Sequence, residues 1–167
     1  MRVFYNVKIT APVRIEMVNA KKLHKKLNKT FIPTSDFDGR VLGVAIKDRK
    51  GAYTILLENG APRLQSTMTM VHELTHIWQY LNWDMKAIQS MYGSKELEVY
   101  EGMAKWSEIQ YAYLINEPGT AKREEIITKH RNDAYGIGFL RYAAKYGISS
   151  NTHLSGQTPF ENKNQPL

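Results

Sequence analysis

The chain has 167 residues and 43% hydrophobic composition, which is enough for one domain with a buried core and too little to expect two. It contains no cysteine, so disulfides, thiolate metal sites and cysteine nucleophiles are excluded. Any bound metal must therefore be held by histidine and carboxylate side chains. The formal net charge is +7, and residues 21–29 supply much of it.

No membrane or secretory segment is predicted. No apolar run approaches the roughly 18 residues of a membrane-spanning helix. The first ten residues, MRVFYNVKIT, lack the long apolar region of a secretory signal. We therefore expect a cytoplasmic protein.

The first half of the chain is predicted to form most of the strands. Alternation in residues 3–9 and the run at 13–18 predict two strands, or one bent strand. Residues 33–39 are typical of a loop. Residues 41–47 and 53–58, joined by the turn residues DRKG, predict a hairpin or two adjacent strands.

The second half changes to helical periodicity. The predicted helices lie near Pro62–Asn82, Ser94–Ile115, Lys122–His130 and Gly138–Tyr146. Strands followed by helices predict an α+β domain. We expect one domain over residues 1–160 and a flexible tail over 161–167.

The basic segment Lys21–Lys29 has two interpretations. Leu23 and Leu27 are spaced to face inward, which favours a short amphipathic helix with solvated lysines. The alternative is a docking surface for nucleic acid or an acidic protein. No aromatic residue lies among the lysines, so stacking on bases is not supported and a nucleic-acid partner is not expected.

A metal-binding motif lies in the predicted helix at 62–82. His72 and His76 stand one turn apart with Glu73 between them, in the pattern His-Glu-x-x-His. Both imidazoles can meet one ion, while Glu73 is rotated about 100° from His72 and can contact a water without binding the ion. The alternative is a pair of surface histidines with an intervening glutamate.

A catalytic zinc needs a third protein ligand and one open position. The helix at 94–115 carries Glu98 and Glu101, one turn apart and both able to face the first helix, and Glu96 is a further possibility. YEGMAKW resembles the Glu-Gly-x-Ala segment that supplies the third ligand in gluzincin aminopeptidases, which favours Glu101. Gly102 would let the two helices approach closely. Glu98 then accepts a hydrogen bond from a ligand histidine, or is a helix N-terminal carboxylate.

Several longer segments resemble one family. GAPRLQSTMTMVHELTHIW (60–78), EVYEG (98–102), AYGIGFLRYAAKYG (134–147) and SGQTP (155–159) are similar in order to segments of the plant DA-type organ-size-control peptidases. Those proteins are LIM-domain-bearing, ubiquitin-activated zinc metallopeptidases with bacterial relatives. Without cysteine there is no LIM module, and no separate ubiquitin-interacting helix is found, so ubiquitin dependence is not expected.

The resemblance implies a zincin-like fold, with an N-terminal mixed sheet, an active-site helix and a mainly helical C-terminal half. It also implies Zn²⁺ on His72, His76 and Glu101, and a protein or peptide substrate added as a strand along a sheet edge. Residues 39–46 occupy the matching place, so Gly43, Val44 and Ala45 are the candidate substrate-binding residues. Gly43 would permit close backbone approach there, or is simply a structural glycine of a hairpin.

These residues predict a zinc metallopeptidase, and an endopeptidase in preference to an aminopeptidase. Glu73 is the general base. Tyr135 is the candidate second donor to the oxyanion, or else starts a helix and packs; His130 and His153 are weaker candidates for the same role. Two alternatives remain: a zinc hydrolase of a non-peptide substrate, and a zinc-stabilised binding module without activity. Oligomeric state does not follow from the sequence.

Overall fold

The computed structural model describes residues 1–27, 41–149, 158–161 and 167. The strands are β1 (Val13–Val18), β2 (Gly43–Lys47) and β3 (Tyr53–Glu58). The helices are α1 (Arg2–Tyr5), α2 (Ala20–Lys26), α3 (Arg63–Asn82), α4 (Met85–Tyr92), α5 (Glu96–Leu114), α6 (Pro118–Lys129) and α7 (Ala134–Tyr146). Short 3-10 turns lie at Gly93–Lys95 and Pro159–Glu161.

The three strands form one mixed sheet in the order β1–β3–β2. β1 runs parallel to β3 with Val13 opposite Tyr53, and β2 runs antiparallel to β3 with Gly43 opposite Leu57. β3 is therefore central, and it is the most buried of the three. The predicted adjacent strands at 41–47 and 53–58 are confirmed.

Helix α3 lies on one face of the sheet. Alternate residues of β3, Ile55 and Leu57, pack with Ile77 of α3, while Leu56 on the opposite face packs with Leu23 of α2. This alternation follows from the two-residue period of a strand. The inward position predicted for Leu23 is confirmed, and α3 matches the predicted helix at 62–82.

A second core forms where α5 packs between α3 and α7. Its members are large apolar side chains, including Met68 of α3, Met103 and Trp106 of α5, and Phe139 and Tyr142 of α7. A Cβ on Gly138 would lie 2.0 Å from the backbone oxygen of Glu98, so α5 and α7 cross at van der Waals contact of their backbones. This crossing fixes α5, which carries the third candidate ligand.

The strand predicted at residues 3–9 is wrong, because the chain forms the short helix α1 and then turns at Asn6, whose φ is 51°. The alternating apolar residues Tyr5 and Val7 are buried in the helical core instead. Helices α6 and α7 each begin four residues before the predicted start. Helix α4 was not predicted.

Some predictions fall outside the described residues: the loop at 33–39, the end of the basic segment, and most of residues 155–159 and 161–167. Leu167 is described, and its carbonyl accepts a hydrogen bond from Tyr92 Oη at 3.3 Å. Among the described residues, no helix is long and apolar enough to span a membrane. The mixed α/β content agrees with the predicted fold class.

Candidate metal centre

Three side chains from two helices converge at the junction of α3 and α5. His72 and His76 lie one turn apart on α3, and Glu101 reaches them from α5. His72 Nε2 is 3.1 Å from His76 Nε2, and Glu101 Oε2 is 3.3 and 3.4 Å from these two nitrogens. The three predicted ligands therefore form one group that could hold a metal ion.

The spacing of this triangle fits a tetrahedral ion. Ligand atoms about 2.0–2.1 Å from a tetrahedral zinc lie roughly 3.3–3.4 Å from one another. The observed separations of 3.1–3.4 Å are close to this value without any movement of the helices. Glu101 Oε2 is also buried, and it lies against both imidazole nitrogens, where a third metal ligand would be. Other divalent metals of similar size fit the same triangle.

Both histidines are held through the ring nitrogen that faces away from the triangle. His72 Nδ1 is 3.2 Å from Glu108 Oε2, and His76 Nδ1 is 2.9 Å from Gln79 Oε1. Because Nδ1 donates to an oxygen in each case, Nε2 can present its lone pair to a metal. Gln79 in turn donates to the carbonyl of Tyr100 at 3.0 Å, which ties α3 to α5.

A buried charge network supports Glu108. Lys105 Nζ lies 3.2 Å from Glu108 Oε1 and 3.4 Å from Glu124 Oε2 of α6. Glu124 also pairs with Arg123 at 3.0 Å. Lys105 thus pairs with two buried carboxylates and connects Glu108, the partner of His72, to a third helix.

The electrostatics of the group favour positive charge at its centre. Burial alone would lower the pKa of His72, but the carboxylates of Glu101 and Glu108 outweigh it and raise the pKa to about 10 in the metal-free protein. Burial would raise the pKa of Glu101, but the two imidazoles hold it far below its usual range. Burial would also raise the pKa of Glu108, but the positive charges of Lys105 and His72 outweigh it and lower the pKa to about 2. All three results describe a site that stabilises a cation.

Glu73 lies in the same cleft but outside the triangle. It is buried, and it makes no hydrogen bond or ion pair with another described residue, so its carboxylate is available. A Cβ on Gly43 would lie 2.6 Å from Thr69 Cγ2 and 3.3 Å from Glu73 Cγ. Gly43 therefore allows β2 to approach α3 beside Glu73, which is a structural reason for a glycine at this position.

Tyr135 is placed beside the triangle by the first turn of α7. Its ring stacks on His72 with centroids 6.1 Å apart and planes at 21°. Burial raises the pKa of Tyr135, and the nearby charges of Glu101 and Glu73 raise it further, so the phenol remains protonated. Tyr135 both packs and lines the cleft, where it can donate a hydrogen bond.

Glu98 and Gly102 both lie on the side of α5 that faces α7. Of the two roles predicted for Glu98, the structure agrees with the helix N-terminal carboxylate, because Glu98 lies in the first turn of α5 and pairs with Arg141 of α7 at 2.8 Å. It does not accept a hydrogen bond from a ligand histidine. Glu108, two turns beyond Glu101 on the same face of α5, and Gln79 take that role. Gly102 lies against Gly138 of α7, with a Cβ 2.5 Å from its Cα, so it serves the α5–α7 crossing and not the approach of α3.

Of the two weaker oxyanion candidates, His130 does not join the site: it is exposed, and its Nδ1 lies 2.8 Å from the carbonyl oxygen of Ile126. The other candidate, His153, lies outside the described residues. The triangle opens into a cavity of about 670 Å³. Its lining includes residues of β2 and α6 and the side chains of Tyr80 and Leu97. The ring of Tyr80 stacks on His76.

No protein-family model, curated protein or solved structure matches the chain.

Proposed function

We propose that the protein is a zinc-dependent peptidase of the gluzincin type with a zincin-like fold, as its resemblance to the DA-type peptidases implies. The observation that carries the proposal is the triangle of His72, His76 and Glu101, with an unengaged carboxylate beside it in an open cleft. A purely structural metal site has no need of that fourth group and usually closes its coordination with protein ligands.

Zinc bound by the three side chains would supply a Lewis acid that polarises a water and a carbonyl group. Glu73 accepts the proton of the attacking water and delivers it to the leaving amine. Its position supports this role, since it lines the same cleft as the ligands without belonging to the triangle. A base needs such an uncommitted carboxylate.

Tyr135 donates a hydrogen bond to the carbonyl oxygen as negative charge develops there. A phenol can do this only while protonated, and the raised pKa of Tyr135 keeps it so throughout the neutral range. The interaction of its phenol with the carboxylate of Glu101, which also raises the pKa of Tyr135, supports the assignment because it brings the hydroxyl close to the ligands.

In the described part of the chain β2 lies at an edge of the sheet, and this position supports a peptide as substrate. The backbone N–H of Glu58 donates to Leu42 at 2.9 Å, and that of Asp48 donates to Ala52 at 2.9 Å. Hydrogen-bonded pairs alternate along an antiparallel ladder, so Val44 also bonds inward to β3, while Gly43 and Ala45 direct their backbone groups outward. These two residues, and not Val44, have the groups with which an extended peptide would pair.

The proposal is tested by incubating the zinc-loaded protein with a mixture of unstructured peptides and identifying the new termini by mass spectrometry. We expect cleavage within the peptides that stops with a chelator and returns when zinc is added. Stepwise removal of N-terminal residues would instead indicate an aminopeptidase. No cleavage across the whole mixture, by protein that holds one zinc per chain, would contradict the proposed function.

A further inference from the structure

Arg131 lies against the face of Tyr135. Its guanidinium carbon is 4.6 Å from the centre of the Tyr135 ring, within the range of a cation–π contact. The same ring stacks on His72. An aromatic neighbour of the ligand triangle is therefore covered by a cation from the segment between α6 and α7.

The guanidinium is itself held by a carboxylate. Arg131 Nε lies 3.1 Å from both carboxylate oxygens of Asp133, and Nη2 lies 2.5 Å from Oδ2. Asp133 also caps α7, accepting a hydrogen bond from the backbone N–H of Gly136 at 3.1 Å. One aspartate thus fixes both the start of α7, which carries Tyr135, and the cation that covers Tyr135.

Gly136 makes this arrangement possible. A Cβ at this position would lie 2.1 Å from the backbone oxygen of Arg131 and 2.7 Å from its Cβ. Only a residue without a side chain lets the 131–133 segment lie against the first turn of α7.

We propose that Arg131 is a positioning residue, which holds the phenol of Tyr135 in the orientation from which it donates to the reacting carbonyl. The inference rests on the proposed function, in which Tyr135 is that donor. A phenol fixed before the substrate arrives needs no reorganisation during the reaction, and this is the main source of strength in such donors. Arg131 also lines the cleft, so the experiment must separate positioning from direct binding of substrate.

The test is a double-mutant cycle of Arg131→Met and Tyr135→Phe, with kcat and KM measured on one cleaved peptide. Losing such a donor costs roughly 10²–10³-fold in kcat, so losing its orientation should cost a part of this, about 10-fold. We expect Arg131→Met to lower kcat in the wild-type background and to have no further effect in Tyr135→Phe. Arg141→Met is the matched control, since Arg141 pairs with Glu98 outside the cleft.

A second variant covers the case in which Arg131→Met does not fold. Asp133→Asn removes the charge that holds Arg131 but keeps a good helix cap, so α7 should remain intact. It should lower kcat in the wild-type background and leave the kcat of Tyr135→Phe unchanged. Zinc content and melting temperature of each variant are measured in parallel.

Three results would overturn the inference: equal losses in both backgrounds, a rise in KM with kcat unchanged, or full activity of Tyr135→Phe. The first two leave the proposed peptidase function intact, because they concern only how Arg131 acts. The third removes the role of Tyr135 while Glu73 and the ligands still carry hydrolysis. Absence of peptide cleavage by the wild type is a different outcome, and it contradicts the proposed function itself.

Discussion

Glu108 offers a sharp test of the metal centre, because its role comes from the packing of α5 and not from the motif. Glu108→Gln keeps the size of the side chain but leaves one acceptor oxygen for two donors, His72 Nδ1 at 3.2 Å and Lys105 Nζ at 3.2 Å. One donor must lose its partner. We therefore expect His72 to be less well oriented and less basic as a ligand.

The size of the effect follows from these contacts. Losing the hydrogen-bonding partner of a metal-ligating histidine weakens metal binding by about 10–100-fold, which corresponds to roughly 1.4–2.7 kcal/mol. The metal-free protein should also lose about 1–3 kcal/mol of unfolding free energy, since a buried donor is left unsatisfied. Lys105 keeps Glu124 at 3.4 Å, which holds the loss below that of a fully broken buried ion pair.

The assay is zinc competition against a chromophoric chelator, combined with thermal unfolding of the chelator-treated protein. Glu125→Gln is the matched control, because Glu125 is an equally buried carboxylate that pairs with Lys129 and accepts from Tyr113 Oη at 2.7 Å, away from the triangle. It should lower stability and leave zinc affinity unchanged. Equal zinc affinities for the two variants would refute the assigned role of Glu108.

Three further predictions concern the ligand choice, the helix crossing and acid stability. Glu101→Ala should weaken zinc binding by more than the roughly 100-fold expected when a metal-ligating histidine loses its hydrogen-bonding partner. Glu98→Ala breaks only a partly exposed ion pair and should leave zinc binding nearly unchanged. Both affinities are measured by chelator competition, and the reverse order would mean that the ligand lies one turn earlier. Gly138→Ala should cost at least about 2 kcal/mol in denaturant unfolding because its Cβ meets backbone at 2.0 Å, whereas Gly119→Ala, with nothing within 4 Å, should be neutral or slightly stabilising. Burial would raise the pKa of Glu125, but its cationic partners lower it below the usual value of 4.5. The stability that this carboxylate contributes is therefore present above pH 4.5 and is lost on acidification. Glu125→Gln should flatten the acid side of a plot of unfolding free energy against pH, and an unchanged slope would contradict this.

The sequence predicted the parts of the site that depend on local spacing. His72, Glu73 and His76 lie within five consecutive residues, so helical geometry alone brings the two imidazoles together. Glu101 needed a resemblance, because Glu98 lies one turn away and helical periodicity cannot separate them. The choice depends on the rotation of α5 against α3 and α7, which the crossing of Gly102 and Gly138 fixes.

The remaining differences also have physical causes. Glu108 is seven residues after Glu101, a spacing that places both on one face of a helix, but its partner on α3 follows only from packing. Helix α4 did have a local signal: Asp84 caps it by accepting from the backbone N–H of Lys86 at 2.9 Å, and Gly93 ends it with φ 54°. Alternation around Tyr5 indicated burial correctly but the wrong element, because burial against helices requires no strand.

The central claim is that Glu73 acts as a base beside a bound zinc ion. Glu73→Gln keeps the size of the side chain and its capacity for hydrogen bonds but removes the base. The measurement is the rate of cleavage of one identified peptide by wild type and Glu73→Gln, each shown by elemental analysis to hold one zinc per chain. The account predicts equal zinc content and a rate at least about 10²–10⁴-fold lower for the variant. Equal rates at equal zinc content would contradict it.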